Sequence, residues 1–145
     1  VFSGCDLRWG TVISCGCRKQ LPVVEAAFNG MYRQYINQAV SRKLIFKLTK
    51  GEFKELTSQP CYWCGAEPNQ LFSRTRFNGE YLNNGIDRLD NGVGYTTDNC
   101  VPCCKQCNYA KRNLSVIEFR EWSRASALYN NSVARIFAMG RMLYE

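Results

Sequence analysis

The reading turns on CYWCG at residues 61–65 and NNGIDRLDNGVGYTTDNCVPCCKQCN at residues 83–108. Each stretch carries a Cys-x-x-Cys pair, Cys61/Cys64 and Cys104/Cys107, and 39 residues separate the inner cysteines. A Cys-x-x-Cys turn directs two sulfurs at one ion, and two such turns complete a tetrahedron. The expected metal is therefore a structural zinc with no open position for chemistry. Cys100 and Cys103 form an overlapping pair that leaves the frame ambiguous. Pro102 beside Cys103 favours Cys104 and Cys107, which also puts Asn108 on a helix that starts at the metal.

Outward from this knot the chain reads as one ordinary domain of 145 residues with a small appendage. Nothing approaches the ~18 consecutive apolar residues of a membrane span. The opening VFSGCDLRWG lacks the basic and apolar regions of a secretory signal. A cytoplasmic protein is expected. Beginning with Val, the chain is processed or is a piece of something longer. Nine cysteines without a secretory signal point to metal rather than disulfides. The formal charge of +7 stays basic once four thiolates and a divalent ion are counted, which suits a polyanionic partner. The chain has no histidine. That removes the commonest general base and every histidine-containing zinc site.

Residues 1–20 hold Cys5, Cys15 and Cys17, either part of a small zinc ribbon or ordinary thiols. Residues 21–58 form a lead-in. Val24, Phe28, Met31, Tyr35 and Ala39 mark the buried face of a helix over 22–43. Its polar face, with Arg33 and Arg42, is either solvated or turned to DNA phosphates. Leu44–Leu48 alternates like a short strand. Thr49 to Glu52 is a capping box opening a helix to Ser58. Residues 59–114 are the metal-bound core. Within it, 66–83 reads as a loop whose Arg74 and Arg76, interleaved with aromatics, either grip a nucleic-acid backbone or stay solvated. Gly85–Leu89 and Asn99–Cys103 read as strands flanking an Asp90-Asn91-Gly92 turn, and Cys104–Arg112 as a helix. Residues 115–145 begin with a second capping box at Ser115 to Glu118. They continue as a helical tail, with a break near Asn130-Asn131, that serves packing or dimerisation. The fold class is α+β, a zinc-bound core of two short strands and a helix with flanking helices, which the resemblance below names a ββα-metal core.

NGIDRLDN and GYTTDNCVPCCKQCNYAKRN resemble the ββα-metal core of HNH (His-Me finger) endonucleases, particularly those of phages and mobile introns. KLIFKLTKGEFKELTSQPCYWCG resembles the lead-in of the phage versions, and the SCGC at 14–17 the end of a small zinc ribbon upstream. The resemblance implies a metal-dependent DNA endonuclease, of homing or phage type, acting on double-stranded DNA; a homodimer or a larger assembly is left open by the sequence. Asp87 and Asn108 would bind a catalytic Mg2+ or Mn2+, Asn99 would pin the loop between the strands, and cleavage would leave 5′-phosphate and 3′-hydroxyl ends. Lys105, Lys111 and Arg112, beside that metal, would meet DNA phosphates.

The chain departs from the family at Arg88, where most members have a histidine that activates water. A His-less branch among restriction enzymes also reads Asp-Arg and uses a tyrosine of the first cysteine knuckle. The matching position here is Trp63, one residue from Tyr62. Tyr62 and, second, Tyr81 are therefore the candidate bases, with Trp63 packing over the zinc. Arg88 can clamp phosphate but cannot be a base. The rival readings are a zinc-dependent DNA-binding module without cleavage and a structural subunit of a nucleoprotein assembly.

Overall fold

The computed structural model describes residues 23–74 and 77–142, with the side chains of 24–73 and 79–132. Cys5, Cys15, Cys17 and Arg76, and the side chain of Arg74, lie outside them. Helix α1, Val23–Ser41, follows the apolar periodicity, with Ala27, Phe28, Met31 and Ala39 buried. Val24, at the start of the stripe, is exposed. Lys43 at φ 57° turns the chain out of the helix.

The expected strand at 44–48 is instead an extended segment with a single parallel bridge, Phe46 to Tyr95. Its partner is a loop, so no ladder can propagate. The Tyr95 amide donates to Ile45 O and the Lys47 amide to Tyr95 O, both at 2.8 Å. Helix α2, Lys50–Ser58, opens on the expected capping box: the Glu52 amide donates to Thr49 Oγ1, and the Thr49 amide donates to the Glu52 carboxylate at 2.8 Å.

The reading of 66–83 as a loop is overturned. Strands β1, Gln70–Arg74, and β2, Phe77–Asn83, form an antiparallel hairpin. Its inner face sets Phe72 opposite Tyr81, and Tyr81 is buried edge-on against Phe28 of α1 with ring centroids 5.3 Å apart. Its other face exposes Leu71 and Leu82. With apolar residues on both faces, the strands lack the alternation that marks a half-buried strand.

Strands β3, Gly85–Arg88, and β4, Cys100–Cys103, pair antiparallel with Asp87 opposite Val101. Helix α3, Lys105–Lys111, follows β4 directly, and helix α4, Val116–Met142, runs without the break expected near Asn130-Asn131. Ser115 and Glu118 cap its start. The main core gathers Phe28 and Met31 of α1, Phe53 of α2, Tyr81 of β2, Ile86 of β3 and Tyr95. A second, smaller cluster surrounds Cys61, Cys103 and Cys104. No described helix is long and apolar enough to cross a membrane.

Candidate functional site

Cys61, Cys64, Cys104 and Cys107 converge, with all four sulfurs within 4.8 Å of one another and Cys64 Sγ 3.7 Å from Cys104 Sγ. Sulfurs bound about 2.3 Å from one tetrahedral ion lie about 3.8 Å apart, so the cluster fits zinc. Its electrostatics agree. Burial, then the neighbouring sulfurs of Cys64 and Cys104, raises the Cys107 thiol far above its ordinary range. Burial raises Cys61 too, but the amides of Cys104, Cys64 and Trp63 outweigh it and bring that thiol down to about 7. Four sulfurs this close cannot all ionise without a cation among them. The converging group takes Cys104 and Cys107 and leaves out Cys100 and Cys103, buried thiols of β4 that burial pushes up, Cys100 to about 11 and Cys103 higher still.

The knot positions two elements. In α3, Cys104 caps the helix by accepting the Cys107 amide at 3.4 Å. Cys104, Asn108 and Lys111 then recur at one-turn spacing along the face toward β3. The Asn108 side chain donates to Ile86 O at 3.5 Å. The Lys111 ammonium donates to Asp87 Oδ1 at 3.2 Å and to Arg88 O at 3.0 Å. Lys111 is 0% exposed and Asp87 5%, so this is a buried ion pair. Lys111 thus differs from the expected surface contact to DNA: its charge is spent inside the fold.

The first knuckle supplies the other partner of Asp87. The Trp63 indole N–H donates to Asp87 Oδ2 at 3.1 Å. Trp63, expected only to pack over the zinc, does both, because its ring also abuts the cysteine cluster. Tyr62 goes elsewhere. It is exposed, and its hydroxyl accepts a hydrogen bond from Arg120 at 2.9 Å, in a groove with Trp122 on the α4 side. Tyr81 is removed from the site altogether, with its hydroxyl 2.9 Å from Thr57 Oγ1 in the core.

Asp87, Asn108 and Arg88 line one polar cavity of about 200 Å3, joined by Arg42 and Arg112 at its rim and by Tyr35. Arg88 braces the 89–99 loop, donating to Asn91 O at 2.7 Å and Val93 O at 2.8 Å, with its guanidinium over the Tyr95 ring. Asn99 holds the same loop: its Oδ1 accepts the Asp90 amide at 2.8 Å, and its Nδ2 donates to Asp90 O and Gly94 O at 3.0 Å. Asp90 shapes the turn by accepting the Gly92 amide. Lys105 is exposed beside Tyr109 in an adjoining cavity of about 390 Å3. Tyr35 borders both cavities, and its hydroxyl accepts the Ile86 amide at 3.1 Å. Burial, over the opposing effect of that amide, pushes its pKa from 10.0 to about 12. A carboxylate and an amide side chain facing one polar space suit a hard divalent cation such as Mg2+ or Mn2+, which takes oxygen ligands.

Sequence reasoning missed Trp63, Tyr35 and the burial of Lys111. Arg42 was visible on the polar face of the first helix, and the structure places it among the residues that line the cavity. Lys111 had a signal, its spacing of seven residues from Cys104 along a helix; Trp63 and Tyr35 had none beyond their places in the knuckle and the apolar stripe.

No family model matches the chain. An uncharacterised protein of Acanthamoeba polyphaga mimivirus is 40% identical over 82 residues, which are 57% of this chain and 14% of that protein. The chain thus spans about a seventh of that relative's length. Among solved structures, the rare-cutting HNH restriction endonuclease PacI superposes with a TM-score of 0.52 at 18% identity, over 81% of this chain and 96% of that one. The fold is HNH-like, an α+β arrangement with a four-cysteine cluster able to hold a metal such as zinc.

Proposed function

We propose that the chain is a metal-dependent endonuclease that hydrolyses phosphodiester bonds of double-stranded DNA, leaving 5′-phosphate and 3′-hydroxyl ends. The observation that carries this reading is the meeting of Asp87 and Asn108 in one polar cavity, with three arginines around it. The HNH-like fold and the basic balance support it. Zinc at the four cysteines acts as scaffold. A divalent ion held by Asp87 and Asn108 would stabilise charge developing on the phosphorus and the leaving oxygen. Arg42 and Arg112 at the rim, with Lys105 nearby, draw the DNA backbone to the cavity. Arg74 and Arg76 are further candidates, from the sequence, for contact with the DNA backbone. Lys111 and Trp63 hold the Asp87 carboxylate in one orientation. The mimivirus likeness and the phage-like motifs favour a nuclease of viral or mobile-element type.

The decisive experiment is nicking of supercoiled plasmid with Mg2+ or Mn2+. Wild type is expected to nick, and Asp87→Ala and Asn108→Ala to lose nicking while retaining DNA binding. Failure of the wild type under every metal tried, with binding intact, would favour the second reading, a zinc-dependent DNA-binding module. The absence of histidine from the chain, with the Tyr62 hydroxyl held by Arg120 away from the cavity, is what supports that alternative.

A further inference from the structure

The cavity that holds Asp87 carries an unusual charge balance for a metal site. Arg42, Arg88 and Arg112 line it, and Asp87 is the only acidic side chain among its lining residues. The carboxylate is moreover already paired with Lys111 at 3.2 Å. The Lys111 ammonium cannot withdraw to water: the side chain is wholly buried and its second bond is to the Arg88 carbonyl. Lys111 thus already offsets the one carboxylate, and three arginines line the same cavity. In the free protein this excess of positive charge favours phosphate and weakens the hold of Asp87 and Asn108 on a divalent ion, since like charges repel more strongly in a partly desolvated space.

We propose that this site takes phosphate first and the divalent cation second, with Lys111 as the fixed charge that keeps cation affinity low until DNA is bound. The inference rests on Asp87 being a ligand of that cation. A DNA phosphate entering between the arginines supplies the negative charge that makes a cation at Asp87 favourable, so metal and DNA affinities are coupled and each raises the other. Lys111 is a positioning residue here; it acts through Asp87 and through the field of the cavity. One consequence is that the free protein leaves cellular divalent ions alone and assembles its site only on DNA.

The test is equilibrium Mn2+ binding to the full chain, read by electron paramagnetic resonance, with and without a short mixed-sequence duplex. Asp87→Ala is the baseline that subtracts Mn2+ held by the DNA itself. Wild type is expected to bind Mn2+ weakly alone and roughly tenfold or more tightly with duplex. Lys111→Met should tighten DNA-free binding by roughly tenfold, whereas a lysine that merely stabilised the fold would loosen it on removal. Lys111→Arg should return the weak affinity. Equal Mn2+ affinity with and without duplex, or a Lys111→Met protein with unchanged or weaker DNA-free binding, would overturn the proposal. If melting shows Lys111→Met unfolded, Arg42→Gln and Arg112→Gln at the rim replace it; each should tighten DNA-free binding several-fold, and no shift in either sinks the idea. Wild type that never exceeds the Asp87→Ala baseline removes the metal-ligand reading and the proposal with it. Coupled Mn2+ binding without any nicking supports the proposal and counts against the nuclease reading alone.

Discussion

Asp87 has both carboxylate oxygens engaged by side chains from opposite ends of the sequence segment, Trp63 on Oδ2 and Lys111 on Oδ1. A buried carboxylate robbed of a donor loses far more than an exposed one. Trp63→Phe keeps the ring against the cysteine cluster but deletes the N–H. It is expected to lower stability by about 1–3 kcal/mol, seen as a shifted denaturant midpoint with unchanged slope. Tyr62→Phe, one residue away, removes only an exposed hydroxyl bonded to Arg120. Its stability should stay within about 0.5 kcal/mol of wild type, and a nicking rate within a few-fold of wild type is expected. A fall of roughly 10²-fold with DNA affinity intact would instead restore the phenol as the base. The four-cysteine cluster was legible because each Cys-x-x-Cys turn is local, whereas Asp87 and Asn108 were singled out only through the resemblance of the motifs around them. The partner of Asp87 was not, because a two-residue knuckle can present either Tyr62 or Trp63 and only the packing of Phe119 against the indole, centroids 4.9 Å apart, fixes which turns inward.

At the scale of elements, the 89–99 loop is held from three sides: by Asn99, by Arg88 and by the segment at 44–48. The third contact depends on Gly94. A Cβ there would stand 2.2 Å from the Ile45 carbonyl oxygen, a backbone atom with nowhere to go. Gly94→Ala is expected to cost about 1–3 kcal/mol and to speed hydrogen exchange at the Tyr95 and Lys47 amides. The capping boxes were readable from four residues each, since a cap is satisfied within its own turn. The hairpin was not readable, because its pairing joins residues up to 13 apart and its exposed leucines blur the two-residue period. Tyr35 ties α1 to β3 through the Ile86 amide. Its pKa is raised in the folded state, so the fold holds that proton more tightly than the unfolded chain does. The stabilisation is complete below pH 10.0 and is lost as pH climbs toward about 12. A thermal-melt series across that window should show the decline, and Tyr35→Phe should flatten it.

For the whole molecule, the four cysteines close the segment that contains the hairpin, both strands of the core sheet and the loop between them. Removing the metal should therefore do more than loosen two knuckles. Stripping with a strong chelator is expected to abolish cooperative unfolding of this part and nicking together, with zinc restoring the first and zinc plus Mg2+ or Mn2+ the second. Because thiolates are the ligands, protons compete with zinc, and its release should grow as pH falls. DNA binding should weaken steeply with salt, with a slope set by the phosphates the basic rim neutralises. Arg42→Gln should reduce that slope by about 1.

The indole of Trp63 sits on the carboxylate itself, whereas Trp122 stacks on Phe119 near the surface. The molecule thus carries an optical probe in direct contact with that carboxylate. With Trp9 and Trp122 replaced by phenylalanine, the remaining emission would come from one ring in hydrogen-bond contact with Asp87. Its intensity would follow each ligand arriving at that carboxylate in real time, without a label and without waiting for a strand to break.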